Sequence, residues 1–404
     1  RSTLFPYTTL FRSVKLEWEG TAISHFDLTD EVTEQQMRDL FGQGKRPDAE
    51  KIRQTKEGVV DEKKLLLGNP FGVYSSFHQQ FVDAVNEDVR NHVNDNDGVE
   101  PTPRQMAHIR RRVAHDMFVA DRNREPTNDQ ELTRFLATQT RGSAQAVAGF
   151  DLTFSAPKSV SVMWALGDRD LQKRIEAAHT AAIRDTISYL EADVIGSRAG
   201  RNGVRRVKVD GIMAARFRHY DSRAGDPQLH DHLVVSNKVF VPFGIVDEKT
   251  GEEKGVWRTI DSKALYKATV SASERYNNAL MTRLSSDLGV SFEVREADGQ
   301  APKMELTTVS EELVERFSSR RTSIKERLEE LKNDYTATHG HEPSRRTVMR
   351  LAQQATLETR QSKEHVALPE RIEQWRTASP VRFTSDELED RKSTRLNSSH
   401  VKLS

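Results

Sequence analysis

Residues 217–237 read FRHYDSRAGDPQLHDHLVVSN and hold three of the chain's 13 histidines: His219, His230 and His232. The run QLHDHLVVSN is rich in strand formers (Leu229, Leu233, Val234, Val235), and Pro227 fits only at its start. Alternate side chains of a strand share a face, so His230 and His232 point the same way. His219, arriving on a neighbouring strand across the SRAGD turn, completes three imidazoles able to hold a metal ion with positions open to substrate. Two strand histidines at i, i+2 are equally well explained as half-buried side chains. Spacing alone leaves the two readings level.

The elements that position these histidines are legible in outline. In GFDLTFSAPKSVSVMWAL (149–166), Phe150, Leu152 and Phe154 alternate with Asp151 and Thr153, which predicts a strand. A turn at Ser155–Pro157 then opens a helix. Strand, turn and helix in that order present backbone N–H groups to an anion, and Lys158 is the basic group nearest a phosphate held there. A solvated turn lysine is the competing reading. Residues 170–195 carry a long helical stripe: Leu171, Ile175, Ala178, Ala182, Ile183, Ile187 and Leu190. Residues 205–218 predict a strand paired antiparallel with 228–240, so that His219 faces His230 and His232. Asp221 and Asp226 shape the intervening turn. A further hairpin is expected around 247–253, an amphipathic helix over 261–288 and a short strand over 290–295.

Upstream, 32–41 is a short amphipathic pattern in a polar segment. Residues 72–92, 103–122 and 129–137 have helical spacing and read as an all-helical insertion at about 66–141. Beyond Pro302 the pattern is helical and highly charged over 307–331, 344–359 and 364–377. No Walker-type glycine loop is present, so no ATPase activity is expected.

At 404 residues the chain has room for two or three domains. With 36% hydrophobic and 30% charged residues it is a polar protein with solvated helices, and its mean hydropathy is −0.69. No apolar run is long enough to cross a bilayer and no secretory signal pattern is seen. The lack of Cys excludes disulfides, thiolate zinc modules and thiol nucleophiles, and fits a cytoplasmic protein. Because 61 basic residues balance 61 acidic ones, nucleic-acid binding has to rest on local patches. Arg110, Arg111 and Arg112, the 201–208 stretch, and Arg320 with Arg321 are such patches.

The two ends stand apart. TLFPYTTLFRS (3–13) and DRKSTRLNSSH (390–400) match in-frame translations of short-read sequencing adaptors. Residues 1–13 and 390–404 are therefore set aside from the fold. The expectation is a chain genuine from about Val14 to Glu389 and cut at both ends. Tyr7 falls in the first of these segments and is given no role.

Three motifs now coincide in order: GFDLTFSAPKSVSVMWAL, FRHYDSRAGDPQLHDHLVVSNKV and ALYKATVSASERYNNAL (264–280). Together they resemble conjugative relaxases of the MobF, or TrwC/TraI, class. FSSRRTSIKERLEELKNDY and LAQQATLETR resemble the form found in actinobacterial relaxase-helicases. The resemblance implies an α+β fold: an HUH-endonuclease-like palm with a central antiparallel sheet and packed helices. Relaxase sequence would span 14–300, with the helical insertion inside it. Residues 301–389 would be a charged helical linker toward a helicase domain.

Carried over by position, His219, His230 and His232 match the family's metal triad, and Asp151 its motif acid. Asp151 would hydrogen-bond a histidine or serve as general base, the former slightly favoured. Lys158, Arg218 and Arg223 would contact the DNA backbone. The implied cofactor is a divalent metal ion (Mg, Mn or Zn), and the implied substrate single-stranded or hairpin DNA at a transfer origin. Accessory relaxosome proteins and a coupling protein would be partners.

The implied reaction is attack of a tyrosine oxygen on a backbone phosphorus, giving a 5′-phosphotyrosine and a free 3′-hydroxyl. The family's attacking tyrosines lie at the extreme N-terminus, where this chain has the adaptor match. None of Tyr74, Tyr189, Tyr220, Tyr266, Tyr276 and Tyr335 takes their place. Metal and DNA binding without a covalent adduct is therefore expected. The alternatives are a non-cleaving hairpin-DNA module and a three-histidine hydrolase or oxygenase acting on a small molecule.

Overall fold

The structure is a computed structural model that describes residues 16–29, 31–55, 60–71, 76–95, 101–140, 147–200, 203–243, 254–296, 302–360, 366–390 and 392. Tyr7, Tyr74 and the hairpin tip expected at 247–253 lie outside the described residues. The fold is α+β. Its main sheet has four antiparallel strands: β1 (Leu16–Glu19), β2 (Gly149–Ser155), β3 (Ala214–Asp221) and β4 (Pro227–Ser236). Their spatial order is β1-β3-β4-β2, which puts the two histidine strands at the centre.

Period-two alternation divides the side chains between two faces. Ala214, Leu229, Leu233, Val235, Phe150 and Phe154 pack on one side. Helices α1 (Lys158–Leu166), α2 (Arg169–Tyr189) and α3 (Thr269–Leu288) cover that side, with Leu171, Ile175, Ile183, Leu280 and Leu284 in the same core. On the other side Ala215, Phe217 and Val234 pack with Leu16, Met37, Leu40, Phe41 and Met213. His219, His230 and His232 share the parity of this second face, near the turn that joins β3 to β4.

Several elements are shorter than their patterns predict. The strand expected over 205–218 is two: Arg205–Val207 pairs with Ser197–Ala199, and β3 begins only at Ala214. The strand expected over 228–240 also divides. Ser236 Oγ accepts from Lys238 N at 3.1 Å and Asn237 Oδ1 from Ile260 N at 3.0 Å. These side chains take up backbone hydrogen bonds, and Lys238–Val241 leaves to pair with Val256–Thr259. The helix expected over 261–288 breaks at Ala268.

After Pro302 the chain opens with a strand, β5 (Lys303–Leu306), paired with Phe292–Arg295, and only then turns helical. The helices that follow include α4 (Ser319–His339) and α5 (Leu368–Ala378). Leu306, Val309, Leu313, Phe317, Trp375 and Leu388 are buried in the same core as the sheet. The segment read as a linker from 301 thus packs on the relaxase-like core. Its high average charge hides the few apolar residues that anchor it.

Residues Asn69–Ala148 form a separate compact unit. Three helices, Ser76–Asp95, Pro103–Arg122 and Asp129–Thr140, enclose Phe81, Val85, Ile109, Val113, Phe118 and Leu132. Thr102 and Gln105 form a capping box at the start of the second. Among the described residues no helix is long and apolar enough to cross a membrane.

Candidate metal centre

The β3–β4 register sets His219 directly opposite His230, and Phe217 opposite His232. On the other side of β4, β2 places Thr153 opposite His232 and Asp151 opposite Val234. The three imidazoles form a near-equilateral triangle, with ring centroids 5.1, 5.3 and 5.4 Å apart. One donor nitrogen from each ring lies within 4.8 Å of the others. All three rings are partly exposed, and among the described residues this is the one such cluster of metal-ligating side chains.

Hydrogen bonds select the tautomers. His230 Nδ1 lies 2.9 Å from Gln228 O, and His232 Nδ1 lies 2.9 Å from both carboxylate oxygens of Asp151. Each partner is an acceptor, so Nδ1 carries the proton and donates, and metal ligation falls to Nε2. Phe217 forms the floor: its ring stacks on His232 at 5.0 Å and 12°, and meets His219 edge-on at 5.4 Å. Three imidazoles converging over an apolar floor fit a divalent cation.

The helix-covered face carries what the sequence reading did not single out. Asp231 sits between His230 and His232, so strand parity sends its side chain the opposite way, where it is fully buried. It accepts from Arg216 Nη1 at 2.8 Å, Arg218 Nε at 2.7 Å and His179 Nε2 at 3.1 Å. Burial alone would raise its pKa, but the bonds from His179 and Arg218 hold it well below the usual carboxylate range. His179 is itself kept neutral by burial, which outweighs its carboxylate partner. Its Nδ1 is 2.7 Å from Tyr276 Oη, so the chain of donors runs Tyr276 to His179 to Asp231. Arg216 also pairs with Glu17 and with Glu19, the latter at 2.9 Å. The signal was present in the sequence: Arg216, Arg218 and Asp231 all fall on the parity opposite the histidines.

The other expected site residues are divided. Asp151 reaches one of the histidines, His232. Lys158 does not: its Nζ donates to Pro227 O at 2.7 Å, and burial lowers its pKa to about 8. Nor does the first turn of α1 face an external anion, because Ser159 N donates to the buried Glu305 carboxylate at 2.7 Å. Arg218 lies on the helix-covered face, bound to Asp231, Thr180 Oγ1 (2.7 Å) and Glu176 (3.3 Å). Arg223 occupies the β3–β4 turn, where burial and the neighbouring Arg360 and Arg320 lower its pKa. Asp226 shapes that turn and accepts from Ser319 Oγ at 2.7 Å, at the start of α4.

Among the described tyrosines none stands on the histidine face. Tyr220 stacks on Trp164 beneath the sheet at 4.7 Å, and Tyr189 Oη meets Ser271 Oγ at 3.1 Å. Tyr266 is exposed beside Phe150, and Tyr335 stacks on His339 in α4.

An antiparallel palm with three clustered histidines and a carboxylate behind one of them defines a site able to hold a divalent cation. The chain belongs to the TrwC relaxase family, whose sequence model matches residues 7–380. That match begins inside the N-terminal segment set aside above. The multifunctional conjugation protein TraI of Escherichia coli is 32% identical over 246 residues, covering 59% of this chain and 12% of TraI. TraI of Escherichia coli strain K12 is 30% identical over 250 residues, with the same coverage of 59% and 12%. The chain therefore spans about an eighth of the length of these relatives. Among solved structures, conjugative relaxase TrwC in complex with oriT DNA, metal-bound, is 25% identical with a TM-score of 0.45, covering 67% of this chain and 86% of that one. TrwC with a 27-mer DNA comprising the recognition hairpin and the cleavage site is 26% identical with a TM-score of 0.44, covering 67% and 89%.

Proposed function

We propose that the chain carries the metal half of a DNA-nicking centre, acting on single-stranded or hairpin DNA at a transfer origin during conjugation. The observation that carries this reading is the His219–His230–His232 triangle backed by Asp151, in a chain of the TrwC relaxase family. In the reaction a tyrosine oxygen attacks the scissile phosphorus. The bond to the 3′-oxygen breaks, leaving a 5′-phosphotyrosine and a free 3′-hydroxyl. A bound divalent cation would orient the phosphate and offset the charge that grows on its non-bridging oxygens.

The chain's own residues serve that purpose as a preset donor frame. Asp151 keeps the proton on Nδ1 of His232, so Nε2 stays a ligand; this role is preferred to general base because both its oxygens already face that nitrogen. Gln228 O does the same for His230. Three imidazoles suit Zn or Mn better than Mg, which prefers oxygen ligands. Arg223, at the tip of the hairpin that carries the histidines, remains the candidate phosphate contact. The attacking oxygen is assigned to no tyrosine among the described residues. Accessory relaxosome proteins, a coupling protein and a cytoplasmic site of action belong to this reading through the family.

Titrating Mn²⁺ or Zn²⁺ against a labelled DNA hairpin with a single-stranded tail tests it. Cation-dependent binding that His230→Ala abolishes supports it, as does cation-dependent cleavage. DNA binding indifferent to both cation and His230 would contradict it.

A further inference from the structure

The FSAPKSVS segment (154–161) is expected from sequence to present an anion site, and the structure gives it another task. Its residues bind the first and third residues of β4. Lys158 Nζ donates to Pro227 O at 2.7 Å. Ser161 Oγ accepts from Leu229 N at 3.1 Å, and Ala156 N donates to Leu229 O at 3.0 Å. Between the two clamped residues lies Gln228, whose carbonyl orients His230 through Nδ1 at 2.9 Å. The lysine is largely buried, with Asp226 and Glu305 as its charged neighbours. A solvent-facing phosphate contact would need its head group exposed.

We infer that Lys158, with Ser161, is a positioning residue for His230: it fixes Pro227–Gln228–Leu229 so that the Gln228 carbonyl holds the imidazole in its ligating orientation. This inference rests on reading the three histidines as a cation site. Lys158 touches neither cation nor DNA in it, and its removal acts on the donor set before substrate arrives. A ligand histidine that loses its orienting partner typically costs 10–100-fold in metal affinity, and Lys158 acts one step behind that partner. Its loss should therefore sit near the lower end, about tenfold.

The test is a DNA-free titration of the full chain with Co²⁺, read by its visible absorption, alongside circular dichroism and thermal melting. Wild type is expected to bind one equivalent. Lys158→Met is expected to bind about tenfold more weakly and with a shifted spectrum, because one imidazole is displaced, and Lys158→Arg to recover part of the loss. Ser161→Ala, which removes only the acceptor for Leu229 N, is expected to move affinity the same way by a smaller factor. Unchanged Co²⁺ affinity and spectrum in a folded Lys158→Met protein overturn the inference. So does weaker DNA binding with cation binding intact, which would return Lys158 to the phosphate. Should Lys158→Met not fold, unchanged cation affinity in Ser161→Ala overturns it instead. Absence of Co²⁺ binding in wild type would count against the cation site itself rather than against the clamp.

Discussion

Asp151 and His232 meet diagonally across β2 and β4, with both carboxylate oxygens 2.9 Å from the same ring nitrogen. The carboxylate fixes the tautomer and makes the opposite nitrogen a better donor. Asp151→Ala should therefore weaken divalent-cation affinity by about 10–100-fold with little effect on melting temperature, since Asp151 is exposed. Asp151→Asn, which can still accept one hydrogen bond, should lose less. Isothermal titration with Zn²⁺ or Mn²⁺ measures both. Equal affinity in wild type and Asp151→Ala would show that the contact does not tune the site.

The face behind the histidines predicts acid lability. His179 has its pKa lowered by burial, so below about pH 6.5 the unfolded chain takes up a proton that the folded protein refuses. Asp231 is likewise held low, so its contribution is full above its ordinary pKa of about 3.9 and is lost as pH falls toward its folded value. Both signs agree: stability should decline from about pH 6.5 downward and more steeply below about pH 4. Urea midpoints from pH 8 down to below pH 4 check this. A midpoint that rises on acidification would contradict the assigned charge states.

Asp231→Asn leaves Arg216 and Arg218 buried with less negative charge and should destabilise by about 3–5 kcal/mol. Equilibrium urea unfolding at pH 7.5 reads that loss. A change under about 1 kcal/mol, the scale of an exposed pair, would mean the network is not the internal strut its burial implies.

The C-terminal helices grip the turn between the histidine strands. Trp375 Nε1 donates to Gly225 O at 2.7 Å and its ring is buried in the main core. Trp375→Ala should cost about 3–5 kcal/mol. Limited proteolysis should then cut within 302–390 faster than in wild type. Unaltered stability and cleavage would show that this segment is dispensable to the fold.

Strand parity made most of the centre legible from the sequence. The i, i+2 spacing of His230 and His232, the turn to His219 and the alternation around Asp151 all depend on local geometry alone. Asp231 was passed over because the same parity sends it away from the motif it belongs to, toward His179, 52 residues distant, which in turn meets Tyr276. Lys158 was misplaced because a lysine after a turn looks solvent-facing until the strand that buries it is known. The breaks at Asn237 and Ala268 depend on side-chain and packing contacts that periodicity does not encode. Residues 301–389 looked like a charged helical linker because a handful of apolar anchors is diluted by charge.

The most direct measurement is electron paramagnetic resonance of Mn²⁺ bound to the full chain, with and without a single-stranded oligonucleotide. A cation held by His219, His230 and His232 beside a backbone phosphate should show imidazole ¹⁴N couplings in both samples. A ³¹P coupling should appear only when DNA is added, and His230→Ala should abolish both. A Mn²⁺ signal without imidazole nitrogen, or a ³¹P coupling that survives His230→Ala unchanged, would contradict a histidine-held, phosphate-orienting cation.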